Sequence, residues 1–415
     1  MLALRLARGA HPLVQFRRLL VAAASAGTGF LLLCTLGYAL AHPEASAGSV
    51  VRLAWCAVPT AATVYLAITV ARTDPGTRPR SGLATIGLGP ARLMALSAVT
   101  TALSTVLGSL LALLAFLHLR GDLPVLQPDR TAAGFLAADQ SLPLPAVLTL
   151  LVLVPLAASL GSALALRPRD GRARRPGQTG TDARTAAESG DMPDDRTPDS
   201  ADEVSVPELP LAPRPAPGGL PWGVATLAAG LAVETHASGG GQEQGLHLPG
   251  GLAGGPAGVL AGWALTALGL ALAGPALAHL CGSLLQSASP GPVRLLAGRG
   301  LQQEARRIGR PLGVVCAVAS AAYAAAALHG GAGPSLGPLT VLGAVLVAGC
   351  TLATLATAAV EARQARADTI AALVRLGAPA TVLRTAALLR AGALVVVFVP
   401  VTWVVAELAA MPLAR

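Results

Sequence analysis

The chain contains no lysine: all 30 of its basic residues are arginine. A phosphate-binding loop of the G-x-x-x-x-G-K-[ST] type needs a lysine to reach the nucleotide phosphates, so the chain carries no such site of its own. Aromatic residues amount to 3%, and no RNP-like, zinc-finger or basic-zipper pattern accompanies the net charge of +9. The usual signatures of nucleic-acid binding are therefore missing. Charge itself is scarce, at 12% of 415 residues against 53% hydrophobic. That balance is wrong for two or three soluble domains and fits an integral membrane protein.

Chemistry-bearing patterns are equally thin. Cys34, Cys56, Cys281, Cys316 and Cys350 fall in or at the ends of apolar stretches with no C-x-x-C spacing, and they read as small apolar packing residues. The seven histidines lack H-E-x-x-H or other metal-ligand spacing. Gly333-Pro334-Ser335-Leu336-Gly337 matches G-x-S-x-G, but a nucleophile elbow needs a strand before it, and a Gly/Pro turn between two spans is the better reading. No catalytic residue, metal or cofactor is expected, and the chain is not expected to be an enzyme.

What it has in quantity is long apolar runs. Eight stretches of about 17 residues or more are free or nearly free of charge: 19–40, 53–70, 93–117, 146–166, 256–285, 311–328, 339–360 and 385–410. A ninth, 220–236, is short and ends in Glu234. The first run is long for the core of a cleavable signal and reads as a retained helix. The expected fold is an all-α polytopic membrane protein of about nine transmembrane helices.

Arginine placement tests that count. With a cytoplasmic N-terminus and nine crossings, 25 arginines lie inside, Arg52, Arg120, Arg130 and Arg415 lie outside, and Arg390 falls within a span. This obeys the positive-inside rule. Removing the weak fifth crossing would invert everything after it and place Arg294, Arg299, Arg306, Arg307 and Arg310 outside, so that crossing is retained. A multi-pass protein of the plasma membrane is expected.

Composition changes abruptly over 167–219, which has no aromatic residue, five arginines up to Arg175 and an acidic stretch after Glu188. Such a segment buries too little apolar surface to offset its ordering entropy and is expected to be a disordered cytoplasmic linker. It separates two similar units, 1–166 and 287–415, the second preceded by a two-helix insert at 220–286.

The units repeat in outline. In the first, an amphipathic lead with Leu6, Arg8, Val14, Phe16, Arg17 and Arg18 precedes a span, a short outer loop, a second span and a polar segment. In the second, Leu295, Leu296, Arg299, Leu301, Arg306, Arg307 and Ile308 precede the same order of elements. Each polar segment holds a Leu-Gly step, Leu88-Gly89-Pro90 and Leu376-Gly377-Ala378-Pro379. Arg17 to Leu88 is 71 residues and Arg306 to Leu376 is 70. Between Glu361 and Arg384, Ile370, Ala371, Leu373 and Val374 give an apolar stripe at helical spacing, and Gly377 and Pro379 end that helix. A short cytoplasmic helix between two spans suits docking of a cytosolic partner.

At these residues the sequence resembles the FtsX-like permease family, the membrane subunits of ABC exporters. There, the second and third helices of a four-helix unit are joined by a cytoplasmic segment of the type R-x-x-x-x-x-L-R-x-L-G-A. Arg366 to Ala378, with Asp368, Arg375, Leu376 and Gly377, matches its L-x-x-L-G-A ending through Leu373, with Arg366 and Arg375 each one place from the motif's arginines; Arg80 to Pro90 follows it less closely, with Gly87 where Arg375 stands in the second copy. The resemblance implies a permease subunit without an ATPase of its own. Arg80, Leu88, Gly89, Pro90, Arg366, Asp368, Arg375, Leu376, Gly377 and Pro379 would then contact separately encoded ABC ATPases, two copies per chain. The outer loops between the first two spans of each unit, 41–52 and 329–337, are too short for the folded domain common in that family, and the second unit has three helices instead of four. The alternative is a membrane sensor or regulator that binds an ATPase or peptidase without moving a solute.

Three charges fall within spans and are costly there. Arg390 is expected to snorkel to the cytoplasmic head groups, and Glu234 and Glu407 to lie at the outer interface. Gly254, Gly258 and Gly262 recur at intervals of four, the small-xxx-small pattern of close helix packing in lipid.

Overall fold

The computed structural model describes residues 12–44, 46–73, 90–121, 141–167, 218–239, 257–287, 291–328, 337–377 and 379–411. The expected linker lies outside them except for Arg167 and its last two residues, and so do Arg80, Leu88 and Gly89, Gly254, and most of the G-x-S-x-G turn. Ten helices follow in order: α1 Pro12–Ala41, α2 Ser46–Trp55, α3 Ala57–Thr73, α4 Pro90–Arg120, α5 Leu144–Leu166, α6 Leu220–Gly239, α7 Ala257–Ser287, α8 Pro292–Leu328, α9 Pro338–Arg375 and α10 Ala380–Ala410. Among the described residues there is no strand. The protein is an all-α polytopic membrane protein. Eight stretches, with α2 and α3 counted as one, are long and apolar enough to cross a bilayer, and they coincide with the eight strong apolar runs of the sequence.

The helix α6 is not among those eight, yet the packing requires it to cross. A methyl group added at Gly27 of α1 would meet Leu346 of α9, and Leu33 and Cys34 lie with Leu339 in one cluster, so α1 and α9 run antiparallel. Antiparallel contacts also join α8 to α9, through Glu304 with Arg366, and α7 to α8, through Gly282 with Gly298 and Gly274 with Gly309. Helices α1 and α8 therefore point the same way. With α3, α4, α5 and α7 crossing between them, that parity holds only if α6 crosses too. Its 20 residues, at 1.5 Å per residue, reach about 30 Å, the thickness of the hydrocarbon layer.

Small residues and hydroxyl groups do most of the joining, as expected where lipid removes the hydrophobic drive between helices. In the first half, α1 and α4 run parallel and approach so closely that a Cβ on Gly108 would strike the carbonyl of Ala22. Ser25 Oγ donates to Thr105 O across them at 2.8 Å, and the hydroxyls of Thr28 and Thr63 join α1 to α3 at 2.8 Å. In the second half, α8 and α10 are likewise parallel, and Ser320 Oγ donates to Thr402 O at 3.0 Å. The first and third helices of each unit thus share one arrangement, which extends the sequence repeat into packing. Gly258 and Gly262 bring α7 against Ala237, Gly230 and Glu234 of α6, the packing role their spacing predicted. All five cysteines are buried and free.

Candidate functional site

Helix α9 is 38 residues long, about 57 Å at 1.5 Å per residue, and the hydrocarbon layer takes only about 30 Å of that. The remainder carries Glu361, Arg363, Arg366, Asp368 and Arg375, which lipid would not accept. As the charges from Glu361 to Asp368 imply, the span continues into water, and the short docking helix expected beyond them is part of the same unbroken helix, because no glycine or proline interrupts 338–375 before the stop signal except at Gly343 and Gly349 in the span and Pro338 at the start. The stop itself is as expected: the Leu376 N–H donates to Ala372 O and the Gly377 N–H to Val374 O, Gly377 takes a left-handed φ of 85°, and Pro379 in extended conformation caps α10. Nothing crowds Gly377, so its backbone conformation, not lack of space, favours glycine.

This tip presents a partner-free surface of both kinds. Leu376 is 84% exposed, and Ile370 and Val374 are exposed on the face of α9 leading to it; Arg375 and Pro379 are exposed as well. Arg366 behaves differently. Its Nε lies 2.5 Å from Glu304 Oε1 in the lead of α8 and also donates to Ala362 O at 3.0 Å. Glu304 is buried. One turn towards the membrane, Arg307 Nη1 and Glu361 Oε1 stand 3.9 Å apart. A charge pair screened from water on this scale binds its two helices more firmly than an exposed one. Of the second-copy residues, then, Arg375, Leu376 and Pro379 face outward at the tip and Arg366 turns inward. Pro90 is the first residue of α4.

Arg390 completes the junction. Its Nη2 donates to Leu296 O at 3.0 Å and its guanidinium lies on Gly300, where a Cβ would collide with it. The lead of α8 is thereby fastened to α9 through Glu304 and to α10 through Leu296 and Gly300. Glu304 and Gly300 were not singled out from sequence, and Leu296 was named only as part of the amphipathic lead. One signal was present: Glu304 is the only acid between Glu243 and Glu361, and it stands among arginines.

The other two intramembrane acids are also engaged. Glu234, expected at the interface, is fully buried between α6 and α7, and its Oε1 accepts a bond from Trp263 Nε1 at 2.6 Å. Glu407 accepts from Tyr323 Oη at 2.7 Å near the opposite ends of α8 and α10. Compared with family models, with curated proteins and with solved structures, the chain gives no match.

Proposed function

We propose that this chain is the permease subunit of an ABC transporter, an exporter or a mechanotransmission complex of the plasma membrane, driven by separately encoded cytosolic ATPases. The observation that carries the reading is the junction at the foot of α9. An exposed tip, Arg375-Leu376-Gly377, sits at the end of a helix that is one rigid piece with its span and is fastened to α8 by a shielded ion pair. Force applied at the tip reaches α8 directly and α10 through the Leu376–Pro379 turn. A merely connecting loop needs neither an unbroken helix nor such fastening. The internal repeat supports two docking segments per chain, near Leu88 and Leu376, matching the two subunits of an ATPase dimer. The sensor reading shares the docking surface and differs only in the absence of transported solute.

Purification of the tagged chain from its own membranes in mild detergent, followed by native mass spectrometry and an ATP-hydrolysis assay, tests this. The expected complex has one permease to two P-loop ATPase subunits, and Arg375→Glu depletes the ATPase while leaving membrane insertion intact. A chain that elutes without ATPase, or one whose ATPase complement is indifferent to Arg375→Glu, refutes the reading.

A further inference from the structure

Helices α6 and α7 run antiparallel along a seam of glycines. A Cβ on Gly223 would meet Ala273, one on Gly269 would meet Leu227, one on Gly230 would meet Thr266, and one on Gly262 would meet Glu234. Side chains on a helix lean towards its N-terminus. Glu234 on α6 and Thr266 on α7, one turn apart in level, therefore lean towards each other across the seam. Glu234 is fully buried and Thr266 is nearly so. Trp263 Nε1 donates to Glu234 Oε1 at 2.6 Å, but Glu234 Oε2 and Thr266 Oγ1 are both buried without a hydrogen-bond partner. No positive charge answers the carboxyl. Neither α6 nor α7 contains an arginine. His236 is exposed, and His279 and Cys281 lie at least 16 residues along α7 from Trp263, about 24 Å of helix. Helices α8 and α10 approach α6 through Ala317 and Val405 at Leu227, two turns from Glu234, and their Tyr323 and Glu407 are bonded to each other.

A carboxylate in this place would be an uncompensated charge inside the bundle, and a group so buried is neutralised instead. We propose that Glu234 is a proton-binding site: it holds a proton while α6 lies on α7 and exchanges it when that end of the pair opens. The two orphan atoms fit the acid form, since Thr266 Oγ1 is a free acceptor in the seam for the O–H that Oε2 carries, and Oε1 keeps its bond from Trp263. Exchange has a short route. Glu234 is five residues from the end of α6 at Gly239, about 7.5 Å of helix. Loss of the proton sets a charge among the glycine contacts, so α6 parts from α7 at this end and water enters. A metal cation in place of the proton would need several oxygen ligands, and Glu234 is the single acid on either helix. The inference stands on burial and packing, independently of any ATPase.

The test treats the full chain in liposomes with dicyclohexylcarbodiimide, which enters lipid and reacts with carboxylic acids, not carboxylates. The carboxyl proton passes to one carbodiimide nitrogen as the carboxyl oxygen adds to the central carbon. The acyl group then moves to nitrogen, and the N-acylurea keeps every atom of both reactants. Peptide mass spectrometry should find Glu234 modified severalfold more than Glu407 at neutral pH, with the excess falling as the pH rises. Infrared difference spectroscopy reads the proton directly: wild type minus Glu234→Gln should show a carboxylic-acid C=O band that shifts in D2O and gives way to a carboxylate band under alkali. Should the variant fail to insert, the pH-difference spectrum of the unaltered chain, with and without carbodiimide, reads the same band. Equal modification of the two acids, or a carboxylate band at neutral pH, overturns the proposal. A carboxylate band that moves with Na+ concentration would assign the site to a metal cation, and an acid band unchanged by alkali would make Glu234 a fixed structural acid; either result overturns it too.

Discussion

Arg390 Nη2 donates to the carbonyl of Leu296 at 3.0 Å, so the opening turns of α10 are held to the lead of α8 across 94 residues of chain. The bond exists only because Gly300 leaves the guanidinium room to lie flat on α8.

Gly300→Ala is therefore expected to push the end of Arg390 aside and to cost about 0.5–1.5 kcal/mol, the usual net contribution of the hydrogen bond lost. Gly392→Ala, on α10 with open space around it, should be neutral or stabilising by up to about 1 kcal/mol, since alanine is the better helix former. Thermal unfolding in detergent, read by a thiol dye that reacts as the buried cysteines become exposed, separates the two. Similar shifts for both variants would contradict this account of Gly300.

Glu304 and Arg366 should couple. Glu304→Gln and Arg366→Gln each destabilise, and the double variant should lose less than their sum, leaving an interaction energy of about 1–2 kcal/mol for so shielded a pair. The same cycle on Arg307 and Glu361, at 3.9 Å and with Arg307 half-exposed, should give about 0.5 kcal/mol or less. Equal coupling in the two cycles would mean that the Glu304 pair has no special role.

Burial of Glu234 against Trp263 predicts that Glu234→Gln, which keeps an acceptor, preserves the indole hydrogen bond, and that Glu234→Leu breaks it. Ultraviolet resonance Raman of the indole N–H band is the measurement. Only four tryptophans are present, so the change is readable, and a spectrum unaffected by the leucine variant would refute the pairing.

The crossing of α6 fixes which ends share a side. Leu376→Cys and Pro43→Cys, both at exposed positions, should be labelled from opposite sides by a membrane-impermeant thiol reagent, with Leu376→Cys accessible only from the cytoplasm. Labelling of both from one side would remove α6 as a crossing.

The eight strong spans were legible because an apolar run of sufficient length has few alternatives to a membrane helix, and the tip at Gly377 was legible because glycine and proline punctuate a chain unambiguously. Even α6, the weakest run, was recoverable from the arginines on either side of it. The junction was not. Glu304 in a basic amphipathic lead reads as part of a solvated face, and only the fold brings Arg366 to it. Arg390 looked like a residue with a short path to the head groups; a carbonyl 94 positions earlier in the chain leaves no local trace. The burial of Glu234 left no local trace for the same reason, since it is created by Gly262 of α7, a different helix.

The length of α9 gives it mechanical advantage. From Arg366 to Pro338 is 28 residues, about 42 Å of helix, and the far end packs through Leu339, Leu342 and Leu346 on clusters of the first half that contain Leu31, Leu32 and Cys34. A tilt of about 5° pivoting at Arg366 sweeps that end through about 4 Å, more than half a helical turn. On the proposed function, a displacement at the foot of α9 would be delivered, enlarged, to the opposite face of the first half, so that neither half would need to change shape internally for the membrane's two sides to exchange work.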